Sequence, residues 1–212
     1  MSDYDSEVEF YKNEIYNKDW IKSRIENGGY EDYPKWLLNH TGSKILEIGC
    51  GPCSSLYYGI KNNYIQVTCV DACANRYKEI LHGKLYHPII QGFGEDVGEM
   101  FHLQSFDIIF MQNSLDHTVD PYKVVNGCLS LLRLGGILAI SGFRNEGKTQ
   151  NYHGLHQHNF DVINGVLYYS NKEIEEAERF TDGLIKVLNV IYWSDDEIRD
   201  NRAWFDIRYR VV

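Results

Sequence analysis

The sequence predicts an α/β fold, with a mostly parallel sheet and helices on both of its faces. In the central part of the chain, short apolar runs alternate with segments that have helical periodicity, a pattern typical of consecutive β-α-β units. A glycine-rich turn follows the first run, as expected where a buried parallel strand passes into a helix. Two long strand-like runs close the chain with no helix pattern between them, so we expect them to pair antiparallel. The central runs are Ile45–Ile48, Gln66–Val70, Pro88–Gln91, Asp107–Met111 and Ile137–Ser141, and the terminal runs are Leu184–Trp193 and Trp204–Val212.

The composition fits one globular domain, residues 1–212, and argues against several classes of function. The chain has 212 residues, of which 43% are hydrophobic and 24% charged, enough for one sizeable core. The formal net charge of −9 argues against a nucleic-acid partner, because phosphate binding depends on lysine and arginine. No apolar run approaches the length of a membrane span, and the first residues lack the features of a signal peptide. Five cysteines, an odd number, suggest a reducing compartment, so we expect a cytoplasmic protein.

The first 40 residues predict helices that lie outside the sheet. Residues 6–27 place apolar side chains on roughly one face, with acids early and basic residues late, as is typical of a helix. Gly28-Gly29 would end it, and a second short helix is predicted over Tyr33–Asn39. We expect this helical cap, residues 1–40, to cover either a ligand pocket or a face of the sheet.

The stretch Lys44–Ser55 is the centre of the predicted fold. Gly49 and Gly51 follow the first strand, where glycine permits backbone angles that a side chain would forbid and lets a ligand approach the main chain. Glu47 lies near the carboxyl end of the strand, where open α/β sheets bind ligands. The dinucleotide fingerprint needs a third glycine three residues after the second, and that position is Ser54 here. The turn therefore predicts a ligand site without completing a dinucleotide site.

Cysteines in the same stretch raise two alternatives. Cys50-Gly51-Pro52-Cys53 has the spacing of the thioredoxin dithiol motif, although Gly49 stands where thioredoxins place a tryptophan. Together with Cys69 and Cys73, the two thiols also have a spacing close to that of a four-cysteine zinc site. Cys69, however, falls inside an apolar strand pattern, where a thiol acts as a small hydrophobic side chain. We therefore predict no metal site.

With Glu47 two residues before the first glycine, the stretch Lys44–Ser55 resembles motif I of the class I methyltransferases that use S-adenosylmethionine (SAM). The resemblance covers residues 44–141, extends more loosely to the terminal strand pair, and implies a Rossmann-like sheet of seven strands. It also implies that the glycine turn holds the amino-acid end of SAM. An acid at the end of the second strand would bind both ribose hydroxyls, as it does in NAD enzymes. Asp71, 22 residues after Gly49, is that acid, with a helix cap for the segment near Ala74 as the alternative. The predicted cofactor-binding residues are Glu47, Gly49, Cys50, Gly51, Asp71, Ala72, Gly94, Glu95, Gln112 and Asn113.

Two later loops complete the cofactor site that the resemblance implies. In that family the loop after the third strand covers the adenine, and an acid often follows its first glycine. This sequence has Phe93 at that place, so Gly94 and Glu95 are the candidates for polar contacts. Gln112 and Asn113 emerge at the carboxyl end of the fourth strand, beside the expected ligand.

Candidate catalytic residues follow the fourth strand. His117, preceded by Asp116, matches a histidine that often follows a leucine and an acid in small-molecule methyltransferases, where it is a base or a structural residue. Asp120-Pro121 is a strong helix start, an N-cap acid followed by proline. Gly135-Gly136 would end that helix.

An insertion after the fifth strand, residues 144–169, is expected to form a wall or lid on the acceptor side. Three of the eight histidines lie within it as His153, His156 and His158, a spacing that could bind a metal or supply a base. The motif carries no carboxylate, which favours a solvated loop, and His153 is the third catalytic candidate. Asn164-Gly165 predicts a hairpin between His158–Ile163 and Val166–Tyr169. Ser170 and Glu173 form a capping box that predicts a helix over Asn171–Phe180.

The sequence thus predicts a SAM-dependent methyltransferase that acts on an oxygen or nitrogen of a small molecule, such as a sugar or another metabolite. The expected partner is the acceptor alone, with neither nucleic acid nor membrane, and a homodimer is left open. Two alternatives remain: an NAD-linked oxidoreductase, and a non-catalytic subunit with the same fold. Glu47, Ser54 and the antiparallel ending count against the oxidoreductase.

Overall fold

A seven-stranded sheet forms the centre of the protein, and a small three-stranded sheet stands beside it. The computed structural model describes residues 3–17, 20–180, 197–199 and 202–211. In chain order, the strands are β1 (Lys44–Ile48), β2 (Gln66–Asp71), β3 (Ile90–Gln91), β4 (Phe106–Gln112), β5 (Leu132–Phe143), β6 (His158–Ile163), β7 (Val166–Asn171), β8 (Glu178–Arg179), β9 (Glu197–Arg199) and β10 (Arg202–Arg210).

The order of the large sheet is β3-β2-β1-β4-β5-β10-β9. The strands β1 to β5 pair parallel with their neighbours, whereas β10 runs antiparallel to both β5 and β9. This confirms the predicted α/β class and its antiparallel ending. The strand order reverses between β1 and β4, and open α/β sheets bind ligands at such a point, beyond the carboxyl ends of the strands.

The helices precede the sheet or connect its strands. They are α1 (Asp3–Asn17), α2 (Trp20–Glu26), α3 (Tyr57–Lys61), α4 (Ala74–Ile80), α5 (Val97–Met100), α6 (Pro121–Leu131) and α7 (Glu146–Thr149), and 3₁₀ turns span Lys35–His40, Gly94–Asp96 and Leu115–His117. The predicted start of α6 is confirmed, because Asp120 accepts a hydrogen bond from the Lys123 amide at 2.9 Å and Pro121 is the first helical residue. None of the described helices is long and apolar enough to cross a membrane.

Both faces of the large sheet are buried. Successive residues of a strand point to opposite faces, so Leu46 joins one apolar cluster and Ile45 the other. The first cluster also contains side chains of α6 and of the small sheet, such as Val124 and Leu167. The second contains Tyr33 from the region before β1. The continuous apolar run of β1 is explained by this double burial.

Two predicted helix boundaries differ from the structure. The helix expected over residues 6–27 begins earlier, at Asp3, and is described as α1 and α2, with residues 18–19 outside the described part. The helix expected to reach Gly135-Gly136 ends at Leu131. Both glycines belong to β5, where the Gly135 amide donates to Val211 O at 2.8 Å and the Val211 amide donates to Gly136 O at 2.9 Å. Pairing with the end of the chain replaces the expected helix stop.

The predicted helix over Asn171–Phe180 is wrong. Asn171 still belongs to β7, and its side-chain oxygen accepts hydrogen bonds from the amides of Glu173 and Ile174 at 2.8 and 2.7 Å. This turn leads into β8, which pairs with β7. Sheet pairing therefore overrides the capping-box pattern, whereas the predicted β6–β7 hairpin is confirmed.

The predicted strand Leu184–Trp193 lies outside the described residues. The described antiparallel partner of β10 on its outer side is β9, with Ile198 opposite Ala203. That strand lies in the stretch expected to connect the two terminal runs.

Candidate active site

The turn after β1 requires glycine at two positions. Gly49 has φ +72°, and a Cβ built on it would lie 2.3 Å from Cβ of Ser114, in the loop after β4. Gly51 has φ +63°, and its Cβ would lie 2.9 Å from the hydroxyl oxygen of Tyr11 in α1. Both values of φ are unfavourable for residues with a side chain. The glycines therefore let the turn pass under the loop after β4 and under the first helix.

Asp71, at the end of β2, fastens this turn. Its Oδ2 accepts a hydrogen bond from the Gly51 amide at 2.8 Å, and its Oδ1 accepts one from the Cys73 amide at 2.7 Å. Burial raises the pKa of Asp71 to about 6, and these two bonds oppose the rise. The second bond is to the amide of Cys73, the residue before α4, and the start of α4 has no side-chain cap bond. Asp71 also lines a cavity at this edge of the sheet.

That cavity has a volume of about 70 Å³ and lies where the order of the strands reverses. The predicted cofactor residues that line it are Gly49, Asp71, Ala72, Gly94, Glu95 and Asn113. The helix α1 supplies another wall through Tyr4, Glu7 and Tyr11. Leu155, in the insertion after β5, also lines the cavity. The cavity thus joins the glycine turn to parts of the chain that are distant in sequence.

Glu47 does not line the cavity and instead forms hydrogen bonds with residues that follow the glycine turn. Its carboxylate accepts hydrogen bonds from the hydroxyls of Ser54 and Ser55, the second at 3.2 Å, and from the Cys69 thiol at 3.6 Å. Only 2% of the residue is exposed. The hydrogen-bond partners of Glu47 are therefore residues of the protein itself, and Glu47 does not line the cavity. Three other predicted cofactor residues also lie outside the cavity lining: Cys50, Gly51 and Gln112.

The burial of Glu47 predicts a pH dependence of stability. Burial raises its pKa from 4.5 to about 7, so the native state retains a proton that the unfolded chain releases. This contribution to the free energy of unfolding is fully present below pH 4.5 and is lost as the pH rises to about 7. Glu47→Gln should remove this loss of stability, most clearly above pH 6, where Asp71, with a pKa of about 6, is already ionised. Urea unfolding at several values of pH between 4.5 and about 7 measures the free energy of unfolding.

The exposed Glu79 offers a matched control for this experiment. Glu79→Gln should keep the pH dependence of the wild type. A Glu47→Gln variant that loses stability with rising pH as steeply as the wild type would contradict the assignment.

The cysteines do not support the two thiol alternatives. All five are buried and unpaired. Burial raises the pKa of Cys53 to about 12 and also raises that of Cys50, whereas a redox dithiol needs a thiolate at neutral pH. Within the described residues, the side chains that converge as possible metal ligands are Asp116, His117 and His156, and no cysteine is among them.

The loop after β3 is tied to the loop after β4. Oε1 of Glu95 accepts hydrogen bonds from the amides of Val119 and Asp120 at 2.7 and 3.2 Å. Phe93 is 43% exposed, and its ring packs edge-on against Tyr4 with centroids 5.7 Å apart. Phe93 thus links the loop to α1, at the place where the family often has an acid.

The end of β4 directs two neighbouring side chains to two different cavities. Asn113, whose main-chain amide donates a hydrogen bond to Ser141 O at 2.7 Å, lines the small cavity. Gln112 lines a separate cavity of about 600 Å³, together with Trp36 and Trp204. Asn113 lies just beyond the end of β4 and has a left-handed φ of +50°, so its side chain does not follow the direction of the Gln112 side chain.

A cluster of polar side chains lies beside the small cavity. His117 lines the cavity, and its Nε2 lies 3.4 Å from Oδ2 of Asp116 and 3.0 Å from Nδ1 of His156. The His156 Nδ1 also lies 2.8 Å from the same oxygen of Asp116. Burial opposes ionisation of Asp116, but the adjacent His117 and His156 hold its pKa below the usual value. The structure therefore brings together two of the three predicted catalytic residues.

The histidine of the insertion that contacts Asp116 and His117 is His156, whereas His153 was the predicted catalytic candidate. His153 is exposed, and its described contacts are main-chain bonds: its amide donates to Gln150 O at 3.1 Å, and its oxygen accepts from the His156 amide at 3.3 Å. His158 is buried, donates from Nε2 to Thr118 O at 2.8 Å, and lies 3.1 Å from the Tyr169 hydroxyl. The H-x-x-H-x-H spacing indicated this loop, but which of its histidines lies beside Asp116 depends on the fold of the loop against residues 115–118.

Several known proteins with similar sequences or structures are described as methyltransferases. Residues 46–140 match the family described as methyltransferase domain. The chain is 29% identical over 113 residues, 52% of its length, to the ubiquinone biosynthesis O-methyltransferase of Xanthomonas oryzae pv. oryzae, and it spans about half, 47%, of that relative.

Two solved structures share the fold at low sequence identity. One is the 1,6-didemethyltoxoflavin-N1-methyltransferase of Burkholderia thailandensis, with a TM-score of 0.53 and 15% identity over 92% of this chain and 86% of the other. The second is a SAM-dependent methyltransferase of Methanosarcina mazei, with a TM-score of 0.53 and 17% identity over 81% of this chain and 93% of the other. The match to the methyltransferase domain covers slightly less than half of the chain, and the sheet order and the glycine turn agree with the fold of these two structures.

Proposed function

We propose that the protein transfers the methyl group of SAM to an oxygen or nitrogen of a small molecule. The observation that carries this proposal is the small cavity at the carboxyl edge of the sheet, where the glycine turn meets Asp71. The carboxylate of Asp71 would accept hydrogen bonds from the ribose hydroxyls. Gly94 and Asn113 complete the wall on the side of β4. The reaction would be in-line attack of the acceptor on the sulfonium methyl, which requires alignment and exclusion of water.

Binding of SAM in this cavity requires α1 to move. The cavity holds about 70 Å³, whereas sites for ligands of this size usually measure about 300–1,000 Å³. One wall consists of Tyr4, Glu7 and Tyr11 from α1, so an outward shift of that helix would enlarge the cavity without disturbing the sheet. We propose that α1 closes over the bound cofactor.

The acceptor would meet the corner formed by Asp116 and His117. His117 lines the cavity and contacts Asp116, so this pair can hold the nucleophilic atom and assist the loss of its proton. His153 is not given a role, because it is exposed and has no described contact with this corner. The net charge of −9 favours a small-molecule acceptor over a nucleic acid. Five unpaired cysteines favour a reducing compartment such as the cytoplasm.

Calorimetric titration with S-adenosylhomocysteine, the demethylated product of SAM, tests the proposal. We expect it to bind, and we expect NAD⁺ to bind at least tenfold more weakly. Binding of NAD⁺ without binding of S-adenosylhomocysteine would reject the methyltransferase in favour of an oxidoreductase. Turnover is then measured as release of S-adenosylhomocysteine from SAM in the presence of hydroxyl- and amine-bearing metabolites.

A further inference from the structure

Three potential ligand atoms converge beside the small cavity. Oδ2 of Asp116, Nε2 of His117 and Nδ1 of His156 form a triangle with sides of 2.8, 3.0 and 3.4 Å. Zinc-like ions bind nitrogen and oxygen ligands at about 2.0–2.2 Å, so neighbouring ligand atoms in a tetrahedral site lie about 3.3–3.6 Å apart. The longest side of the triangle lies in that range, and the other two are about 0.3 and 0.5 Å shorter. An ion above the plane of the triangle could therefore contact all three atoms after a small expansion.

Hydrogen bonding alone does not satisfy this triangle well. Nδ1 of His156 lies within bonding distance of both Asp116 and His117, but a ring nitrogen carries at most one proton. If Nε2 of His117 is also protonated, two donors face each other across 3.0 Å. A cation, in contrast, is attracted to a lone pair on each of the three atoms.

The surroundings of the triangle favour positive charge. The Asp116 side chain is only 8% exposed. The carboxylates of Glu146 and Glu7 add further negative charge around His156. This negative charge attracts a metal ion to the triangle.

The two loops that carry the ligands are fixed against each other. The Gln157 amide donates to the main-chain oxygen of Asp116 at 3.2 Å, and Nε2 of His158 donates to Thr118 O at 2.8 Å. These bonds flank His156 and hold it opposite His117. A site held in this way loses little entropy when an ion binds.

From this geometry we propose that Asp116, His117 and His156 bind one divalent transition-metal ion. Two imidazoles and one carboxylate suit zinc, cobalt, iron or manganese better than magnesium or calcium, which prefer oxygen ligands. With three protein ligands, the ion keeps an open position. No cysteine or further histidine of the described residues belongs to the cluster.

The role of the ion rests on the proposed function. His117 lines the donor cavity, so the open position can hold the hydroxyl of an acceptor and lower its pKa. In the transfer, the bond between the acceptor oxygen and the methyl carbon forms as the bond from that carbon to sulfur breaks. With the ion bound, Asp116 and His117 assist the loss of the hydroxyl proton as ligands of the ion and not as its acceptor. The proton passes to water, and the sulfonium becomes a neutral thioether. The acceptor class is thereby narrowed to hydroxyl-bearing molecules.

Metal titration of the chelator-treated full chain tests the site without any turnover. Added Co²⁺ should give the intense visible absorption of a four-coordinate complex, and Zn²⁺ should bind in calorimetry at one equivalent. His156→Ala should weaken Zn²⁺ binding at least tenfold and abolish the Co²⁺ spectrum. Asp116→Asn, which keeps the side-chain volume, should weaken Zn²⁺ binding similarly and serves if the alanine variant does not fold.

His153→Ala is the matched control, because His153 is exposed and lies in the same loop. It should bind Zn²⁺ like the wild type. Equal losses in His153→Ala and His156→Ala, or no Zn²⁺ binding to the wild type, would overturn the metal site. Zn²⁺ binding without S-adenosylhomocysteine binding would support the metal site and reject the proposed function. Binding of S-adenosylhomocysteine without binding of Zn²⁺ would reject the metal site and leave the proposed function standing.

Discussion

Gly49→Ala should destabilise the protein by about 2–5 kcal/mol, the largest effect that we expect from a single added methyl group. The backbone of Gly49 has φ +72°, a conformation that costs a residue with a side chain about 1–2 kcal/mol. The added Cβ would also lie 2.3 Å from Cβ of Ser114, and overpacking of this kind costs about 1–3 kcal/mol more. Urea unfolding monitored by circular dichroism gives the change in the free energy of unfolding.

Gly42→Ala separates the two causes. Gly42 has a similar φ of +83°, and nothing lies within 4 Å of an added Cβ. This control should show the conformational cost alone, so the difference between the two variants measures the contact with Ser114. If the two substitutions are equally costly, the close approach between the turn and the loop after β4 is wrong.

Asp71→Ala should weaken binding of S-adenosylhomocysteine about tenfold to a hundredfold, equivalent to about 1–3 kcal/mol for hydrogen bonds to a charged group. The substitution removes the acceptor for the ribose hydroxyls. It also leaves the amides of Gly51 and Cys73 without their bonds to this carboxylate, so some stability is lost as well. Calorimetry on the folded variant measures the affinity separately from the stability.

Asp120→Ala provides the comparison for this loss. The Asp120 carboxylate also accepts a main-chain hydrogen bond, from Lys123 at 2.9 Å, but it caps α6 and does not line the small cavity. It should lose about 0.5–2 kcal/mol of stability and keep its affinity for S-adenosylhomocysteine. Unchanged affinity in a folded Asp71→Ala variant would remove Asp71 from the cofactor site.

The pH dependence of cofactor affinity follows from the same carboxylate. Burial raises the pKa of Asp71 to about 6, and the ionised form is the better acceptor for two hydroxyls. Affinity for S-adenosylhomocysteine should therefore fall as the pH is lowered through about 6. Asp71→Ala should show a smaller change over this interval.

The parallel sheet, the glycine turn and the start of α6 could be predicted from the residues alone. Apolar runs that alternate with helical periodicity indicate strands buried on both faces, and these runs became β1 to β5. Asp120-Pro121 acts through its own main chain and its immediate neighbours, so the N-cap was predictable. The need for glycine at position 49 was also predictable, although its neighbour Ser114 was not.

Which side chains contact one another depends on the folded arrangement of the chain. The choice of His156 over His153 as the partner of Asp116 depends on bonds between two loops about 40 residues apart, such as that of Gln157 to Asp116. Packing between segments also explains two other differences from the prediction. Glu47 turns inward toward Ser54 and Ser55, and β8 pairs with β7 where a helix was predicted. Local sequence patterns set the backbone preferences of each segment, whereas partners that are distant in the chain satisfy its polar groups. These partners are defined only when the segments pack together.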